Sequence, residues 1–549
     1  MSDPKKTLST GRPWSPLAFP LFRMMWIAAL ISQVGTWMHD LGSGWLMTQL
    51  TRSSLEVALI QTAFTLPIFL LALPAGTLAD IVNRRRYLIV AISGTAAIAA
   101  VMGLLTLAGK ITPATLLGLT FCLGIGNAMI GPAWAASVPD FIPRPELRGA
   151  ITLNAMSMNT ARAIGPIAAG YVILAVGPGI VYLLNAVTFI VLLAAIVRWR
   201  EPPAAGPATL PVERMFGGMR AGLRYARHEP ALRAVLIKGV TITAFAGITW
   251  ALLPVLGIRE LGLDAHTYGF LAASVGAGAI GGALILPRFH DHLSRNAIFV
   301  YSAIVSALTL AAMVMTRNLV LVAAILLING AAWLWMFSSL VVAAQLSVPD
   351  WVRARGLALT MLAVFGSLAA GSAIWGRVAD EFGVQAAFLA AAGGIVLGLL
   401  LTARVRIRDD QHMDQMATSQ FPLPEFADDI ETDRGPVLVS IEFEVPLENQ
   451  DEFLRLMREM RRVRLRDGAF FWEVFSDPKH PRRLTEIFMI NSWLDRLRQH
   501  QRGTVADQSL RDRIRALHAG TERPRVTYLI ASEGGAPELA LRTRGVQEI

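Results

Sequence analysis

Four ionisable residues lie inside long apolar runs: His39, Asp40, Arg162 and Lys238. A charge in hydrocarbon is costly, so such a residue is a functional candidate by default. Asp40 is the one carboxylate far from both ends of its run. A carboxylate kept protonatable by burial can take up and release a proton. A structural ion pair, or a place in a wet outer mouth, is the other reading of Asp40. His39 adjoins it but points about 100° away on a helix; a satisfied polar contact is its plainer reading. Lys238 is near the start of its run, where a long side chain snorkels to the interface.

A second group surrounds Asp80, at the end of an apolar run that contains Gly76 and just before Arg84, Arg85 and Arg86. A carboxylate there suits another helix's N-terminus, or an arginine such as Arg84 or Arg148. Arginines here also serve as plain topology anchors. Trp493 and His500 are seven apart and share a helix face near the C-terminus. They would form a small ligand site, or only a core tryptophan and an exposed histidine. The lone cysteine, Cys122, cannot close a disulfide within the chain and reads as a small buried apolar residue. No metal and no cofactor is expected.

These residues must be held by membrane-spanning helices. Of 549 residues, 54% are hydrophobic and only 16% charged, against about 25% charged in a soluble domain. The composition excludes a disordered chain, a collagenous chain and a disulfide scaffold, and it argues against a soluble enzyme of this size. A span needs about 20 apolar residues. Charge-poor intervals of that length run from Arg23 to Arg52, Glu56 to Asp80, Arg86 to Lys110, Lys110 to Asp140, and Arg148 to Arg198. Gly177-Pro178-Gly179 splits the last into two. Six more follow: Lys238 to Arg259, Asp264 to Arg288, Arg295 to Arg317, Arg317 to Asp350, Arg355 to Arg377, and Glu381 to Arg404. No cleavable signal peptide is expected, because the first apolar stretch is too long. Pro67, Pro74, Pro132, Pro166 and Pro254 are expected to kink their spans.

The formal charge of +10 is concentrated in the loops of the apolar part, while the last part of the chain is mildly acidic. Most loop arginines and lysines fall on the N-terminal side of alternate spans, which predicts both termini and the central loop in the cytoplasm. Basic residues between apolar runs speak for orientation in a bilayer rather than for nucleic acid. The central loop, with Arg214, Arg220, Arg224 and Arg227 among Met215, Phe216, Met219, Leu223 and Tyr225, reads as an interfacial amphipathic helix or a solvated linker.

The halves share a phrase. Ser137-Val138-Pro139-Asp140 recurs as Ser347-Val348-Pro349-Asp350, followed by Arg148-Gly149 and Arg355-Gly356. Parallel repeats of six spans predict a transporter with its substrate cavity between the halves.

The loop Gly76-Thr77-Leu78-Ala79-Asp80-Ile81-Val82-Asn83-Arg84-Arg85-Arg86 resembles the signature loop of the major facilitator superfamily. Ile81 and Asn83 replace its usual basic residue and glycine. Gly165-Pro166-Ile167-Ala168-Ala169-Gly170 is similar to part of a motif of drug antiporters in that superfamily. Gln33-Val34-Gly35-Thr36-Trp37-Met38 and Arg162-Ala163-Ile164-Gly165-Pro166 resemble the branch of the enterobactin exporter and the transmembrane secretion effectors, over about residues 20–405. The resemblance implies that Gly76, Asp80, Arg84, Arg85 and Arg148 form a cytoplasmic latch. It implies that Gly165, Pro166 and Gly170 shape span five. It also brings spans one and five together, so that Asp40 meets Arg162.

After an acidic linker, the tail reads as strand Val437–Val445, helix Gln450–Arg466, strands Ala469–Phe475 and Leu484–Ile490, a helix from Ser492 to about Ala519, and strand Val526–Ile530. This βαββαβ order is ferredoxin-like. The region resembles antibiotic-biosynthesis-monooxygenase domains, which implies a homodimer through this domain.

The expected fold is an all-α membrane bundle of twelve helices plus a small cytoplasmic α+β domain. The segments are 1–23 (tail), 24–199 (first half), 200–232 (central loop), 233–405 (second half), 406–434 (linker), 435–535 (ferredoxin-like domain) and 536–549. The expected function is proton-coupled export of a small amphipathic organic molecule across the bacterial inner membrane, with lipid bilayer, substrate and protons as partners. Import, or a membrane-tethered monooxygenase-like enzyme, is the alternative.

Overall fold

A computed structural model describes residues 14–199, 215–290, 292–407, 434–501, 503–520 and 522–532. The chain divides into two compact units. The first holds residues 1–212, 234–343 and 357–409; the second holds 213–233, 344–356 and 410–549.

The first unit begins with α1 (Pro20–Leu50), α2 (Ser54–Ile81), α3 (Arg84–Leu107), α4 (Pro113–Phe141), α5 (Leu147–Val176) and α6 (Pro178–Arg198). Local chemistry sets the starts. Ser53 accepts from the Glu56 amide, Asn83 from Arg86, and Thr112 forms a capping box with Thr115 ahead of Pro113, satisfying amides that would otherwise lack partners. Gly177, at φ +85°, makes the turn from α5 to α6 that the Gly-Pro-Gly breaker predicts.

After α7 (Met215–His228), which belongs to the second unit, come α8 (Pro230–Ala246), α9 (Ile248–Pro254), a π-helical turn (Val255–Glu260), α10 (Ala265–His290), α11 (Arg295–Met313), α12 (Leu319–Leu346), α13 (Arg353–Phe382) and α14 (Val384–Leu401). Gly383, at φ +86°, repeats between α13 and α14 the role of Gly177. The shared Ser-Val-Pro-Asp phrase ends α4 and follows α12, so the repeat is structural.

Among the described residues, eleven helical stretches are long and apolar enough to cross a membrane. The seventh expected span is α8, α9 and the π turn together. The first, α1, is 31 residues long, but Gln33, His39 and Asp40 lower its hydropathy. Its length suits a span, and its polar content marks it as a helix that lines the interior. Cys122 is half-buried rather than fully buried.

Helices of the two halves approach through small residues. A Cβ on Gly269 would lie 2.5 Å from the Pro166 carbonyl, and one on Gly276 2.7 Å from the Ala163 amide. Apolar helices in lipid gain no hydrophobic drive from meeting, so backbone proximity and van der Waals contact hold α5 to α10.

The second unit contains α7, the 344–356 junction and the C-terminal domain. That domain runs β1 (Val437–Glu444), α15 (Gln450–Asp467), β2 (Phe471–Asp477), β3 (His480–Ile490), α16 (Trp493–Gln501), α17 (Val505–Ala516) and β4 (Arg525–Ile530). The antiparallel sheet has the order β2-β3-β1-β4, as a βαββαβ chain predicts. The expected single helix from Ser492 to Ala519 is two helices. Thr504 and Asp507 form a capping box that starts α17 afresh; two reciprocal cap bonds outweigh helical continuation there. One sheet face is covered by helices, with Val437, Val439, Phe453, Phe488 and Trp493 in the core.

Candidate functional site

Asp40 and Arg162 line one cavity in the first unit. Trp37, Asp40 and Gly44 come from α1, Gln61 from α2, Arg162 and Pro166 from α5, Trp250 from α9, and Tyr268 from α10. Both halves contribute, as the repeat predicts. The free space is about 40 Å³, room for a water or a few and well short of the roughly 300 Å³ of a typical organic-ligand site.

Asp40 and Arg162 do not form the expected direct ion pair. The guanidinium lies over the rings of Trp37 (4.8 Å) and Trp250 (5.4 Å), and its buried Nε has no hydrogen-bond partner. Two indole faces hold the cation by their quadrupoles and keep it short of the carboxylate, which still feels its charge. The break at Gly247 positions Trp250: a Cβ there would lie 2.6 Å from Leu368, and the helix restarts at Ile248.

His39 turns to a second, smaller cavity that it shares with Asp40, Ser43, Thr120, Asn127 and Asn185. It is 6% exposed, neither ring nitrogen has a hydrogen-bond partner, and its ring packs on Tyr182 at 4.6 Å. The satisfied polar contact expected of a buried histidine is therefore absent.

The span-five residues act through packing. A Cβ on Gly165 would lie 2.6 Å from that of Trp37, and one on Gly170 2.7 Å from the Ala265 carbonyl. Gly165 thus joins α5 to α1, and Gly170 joins it to α10, on either side of Arg162.

At the start of α3, Arg84 meets Asp140 of α4 at 3.6 Å and donates to the Ala136 carbonyl. Arg85 donates to the Ile196 and Val197 carbonyls, where cations suit the α6 C-terminus. Gly76 has open space where a side chain would go, so close approach does not explain it. The side chains of Asp80, Arg148 and His500 lie outside the described residues.

At the opposite helix ends, a cluster absent from the expected site residues ties the halves together. Asp380 of α13 accepts from Ser53 Oγ (2.6 Å), the Ser54 amide (2.5 Å) and the Leu55 amide (3.3 Å). Its carboxylate caps the N-terminus of α2. Arg259 donates to the carbonyls of Thr51 and Arg52. The signal was present: Arg259 is one of few basic residues on the charge-poor side.

In the second unit, Arg466 is 5% exposed and meets three carboxylates. They are Asp507 at 2.7 Å, Asp467 at 2.9 Å and Glu229 at 3.3 Å. Burial works against the charge of Asp507, but Arg466 and Thr504 hold its carboxyl below the ordinary aspartate range. Burial pushes Glu229 up, and Arg466 only partly offsets it. Arg466 also faces the Tyr225 ring at 5.5 Å, and Tyr225 packs on Trp351. Beside this, Arg464 forms a two-point pair with Glu486 (2.9 and 3.0 Å), which also accepts from Trp472. The central-loop helix α7 exists as expected, yet Ala221, Tyr225 and Ala226 are buried in protein. Trp493 is fully buried with its ring edge-on to Tyr528.

The profile of the transmembrane secretion effector family matches residues 11–535, C-terminal domain included. The staphyloferrin A transporter of Staphylococcus aureus is 22% identical over 358 residues, 65% of this chain and 88% of that protein. The multidrug efflux pump Tap of Mycolicibacterium fortuitum is 24% identical over 414 residues, 73% and 98% of the two chains. The enterobactin exporter EntS of Citrobacter koseri is 26% identical over 392 residues, 70% and 91%. Among solved structures, an inward-facing, unoccupied bacterial homologue of the lysosomal transporter Spinster aligns with a TM-score of 0.58 at 13% identity, covering 71% of this chain and 97% of that one. The nucleoside transporter NupG (D323A mutant) aligns equally well at 15% identity, covering 70% and 99%. At such identities the structures speak to fold alone. A family match over nearly the whole length, on a twelve-span repeat with charges inside it, makes this a multi-pass membrane transporter of small molecules and not an enzyme: the chain belongs to the transmembrane secretion effector family of the major facilitator superfamily.

Proposed function

We propose that this transporter exports a small amphipathic organic molecule, drug-like or siderophore-like, in exchange for protons across the bacterial inner membrane. The observation that carries the reading is the cavity where Asp40 and Arg162 meet without a direct ion pair, lined by both halves. A carboxylate near a guanidinium held off by two indoles is free to exchange a proton or a cationic substrate group. The indoles of Trp37 and Trp250 offer an apolar wall to the rest of the molecule. The cavity is too small for such a substrate, so binding requires the halves to rock apart, as alternating access demands. Asp380 and Arg259 then close the side that the loop charges predict to be extracytoplasmic. Both termini are cytoplasmic in this reading.

Export rests on the relatives whose names state efflux, and import remains the second reading of the same fold. Accumulation of drugs and siderophores in an efflux-deficient bacterial host tests both. The intact chain should lower accumulation, and a protonophore or Asp40→Asn should abolish that effect. Raised accumulation supports import. Undiminished export by Asp40→Asn removes Asp40 from the coupling path.

The C-terminal domain is proposed to pair two copies of the chain. The uncovered sheet face carries an apolar row in register, Phe471, Met489, Leu438 and Leu529, with Leu529 57% exposed.

A further inference from the structure

The first unit holds a larger cavity that the transport reading does not use. It has about 390 Å³ of free space, at the helix ends nearest the Arg404–Arg406 segment. Lys238 of α8, Ser294 and Asn296 where α11 begins, Leu399 of α14 and Arg406 just after it line the cavity. No carboxylate is among the lining residues. Lys238 is 2% exposed; its Nζ lies 5.3 Å from the face of Phe299, and among the described residues it has no hydrogen-bonding or ion-pair partner. A buried ammonium without a hydrogen-bonding anion is costly, and a ring face returns only part of that. The acceptor oxygens of Ser294 and Asn296 are already committed, taking the Ala297 and Ile407 amides, so these side chains offer the space only donors. With them, two cations, one buried and one exposed, face the space.

We infer that this cavity binds a phosphate anion, carried by the headgroup of an anionic phospholipid. Ile237 and Val240 of α8, Tyr301 of α11 and Leu400 of α14 are exposed around it. In a membrane protein such apolar residues face acyl chains, so a headgroup enters the cavity with its tails outside. Basic pockets between spans on the basic side of a membrane protein bind such headgroups. The phosphate oxygens supply the acceptors that Lys238 lacks and balance both charges.

The test uses the purified full-length chain in a nonionic detergent. Thermal unfolding is followed by tryptophan fluorescence while dihexanoyl-phosphatidylglycerol, dihexanoyl-phosphatidylcholine or inorganic phosphate is added. Phosphatidylglycerol should raise the midpoint in a saturable way and phosphatidylcholine should not. Lys238→Arg should retain the response. Lys238→Met, which removes a buried charge without opening a void, should fold and bind at least about tenfold more weakly. Arg406→Gln, at an exposed position, should weaken binding about fivefold. A response to inorganic phosphate but not to phosphatidylglycerol overturns the lipid source. Equal responses to both lipids, or an undiminished response in both Lys238→Met and Arg406→Gln, overturns the site. None of these outcomes depends on transport, so the inference fails or stands apart from the export reading.

Discussion

Replacing Arg466 by methionine should detach α7 from the C-terminal domain while leaving the domain's sheet folded. In the structure this guanidinium answers Glu229, Asp467 and Asp507 at once, with little water near. Removing one partner of a buried ion pair costs about 3–5 kcal/mol, because the remaining charge keeps its desolvation penalty. The lost contact with the Tyr225 ring adds about 0.5–2 kcal/mol. The first figure alone predicts that amides of α7 around Ala221–Tyr225 exchange with deuterium roughly a hundredfold to a few thousandfold faster, while the β1 and β3 amides do not. Hydrogen exchange with mass spectrometry on the full chain reads both. Glu229 refines the expectation. Burial already pushes its carboxyl up, so in the variant it escapes by taking a proton. The acceleration should be smaller at about pH 5.5 than at about pH 8. Arg466→Lys should fall between, since an ammonium cannot fork to several carboxylates. An Arg466→Met chain whose α7 exchanges within threefold of the parent would refute the reasoning, as would equal acceleration across the domain.

Three further outcomes follow from the same physics. Asp380→Asn exchanges a charged acceptor for a neutral one at the α2 N-terminus, worth about 1–2 kcal/mol; a cysteine placed at Gln61 should then be labelled several-fold faster from the side of the membrane on which Asp380 lies, and an unchanged rate would clear Asp380 of gating. Leu529→Glu puts a charge in the apolar sheet row and should convert a dimer to a monomer in light-scattering chromatography, whereas a parent chain that is already monomeric removes the pairing reading. Asp507 is held below its ordinary range of 3.8 in the folded chain. It therefore stabilises above that pH, and the stability is lost as pH falls through its folded value; Trp472 and Trp493 fluorescence should stay constant to about pH 4 and change only below it, and Asp507→Asn should remove that acid step.

Most of the architecture was legible in the sequence because hydrocarbon permits little else. Charge-poor intervals long enough to span, a Gly-Pro breaker and a repeated Ser-Val-Pro-Asp phrase placed the spans and their twofold repeat of six. Alternation in the tail placed four strands, and the capping residues at Thr504 were visible there too but lay inside an otherwise helical run. His39, Asp40 and Arg162 stood out because a charge in an apolar run needs a reason. What each one touches was beyond sequence. Arg162 reaches Trp37 and Trp250, more than a hundred and about ninety residues away along the chain, so its removal from Asp40 depends on how three helices meet. Arg466 reads as an ordinary helix-end cation, and only folding brings Glu229, Asp507 and Tyr225 around it. Composition and periodicity are local properties that fix which segments enter the membrane. Burial, pairing and cavity shape arise between segments far apart in the chain, and the tertiary structure alone decides them.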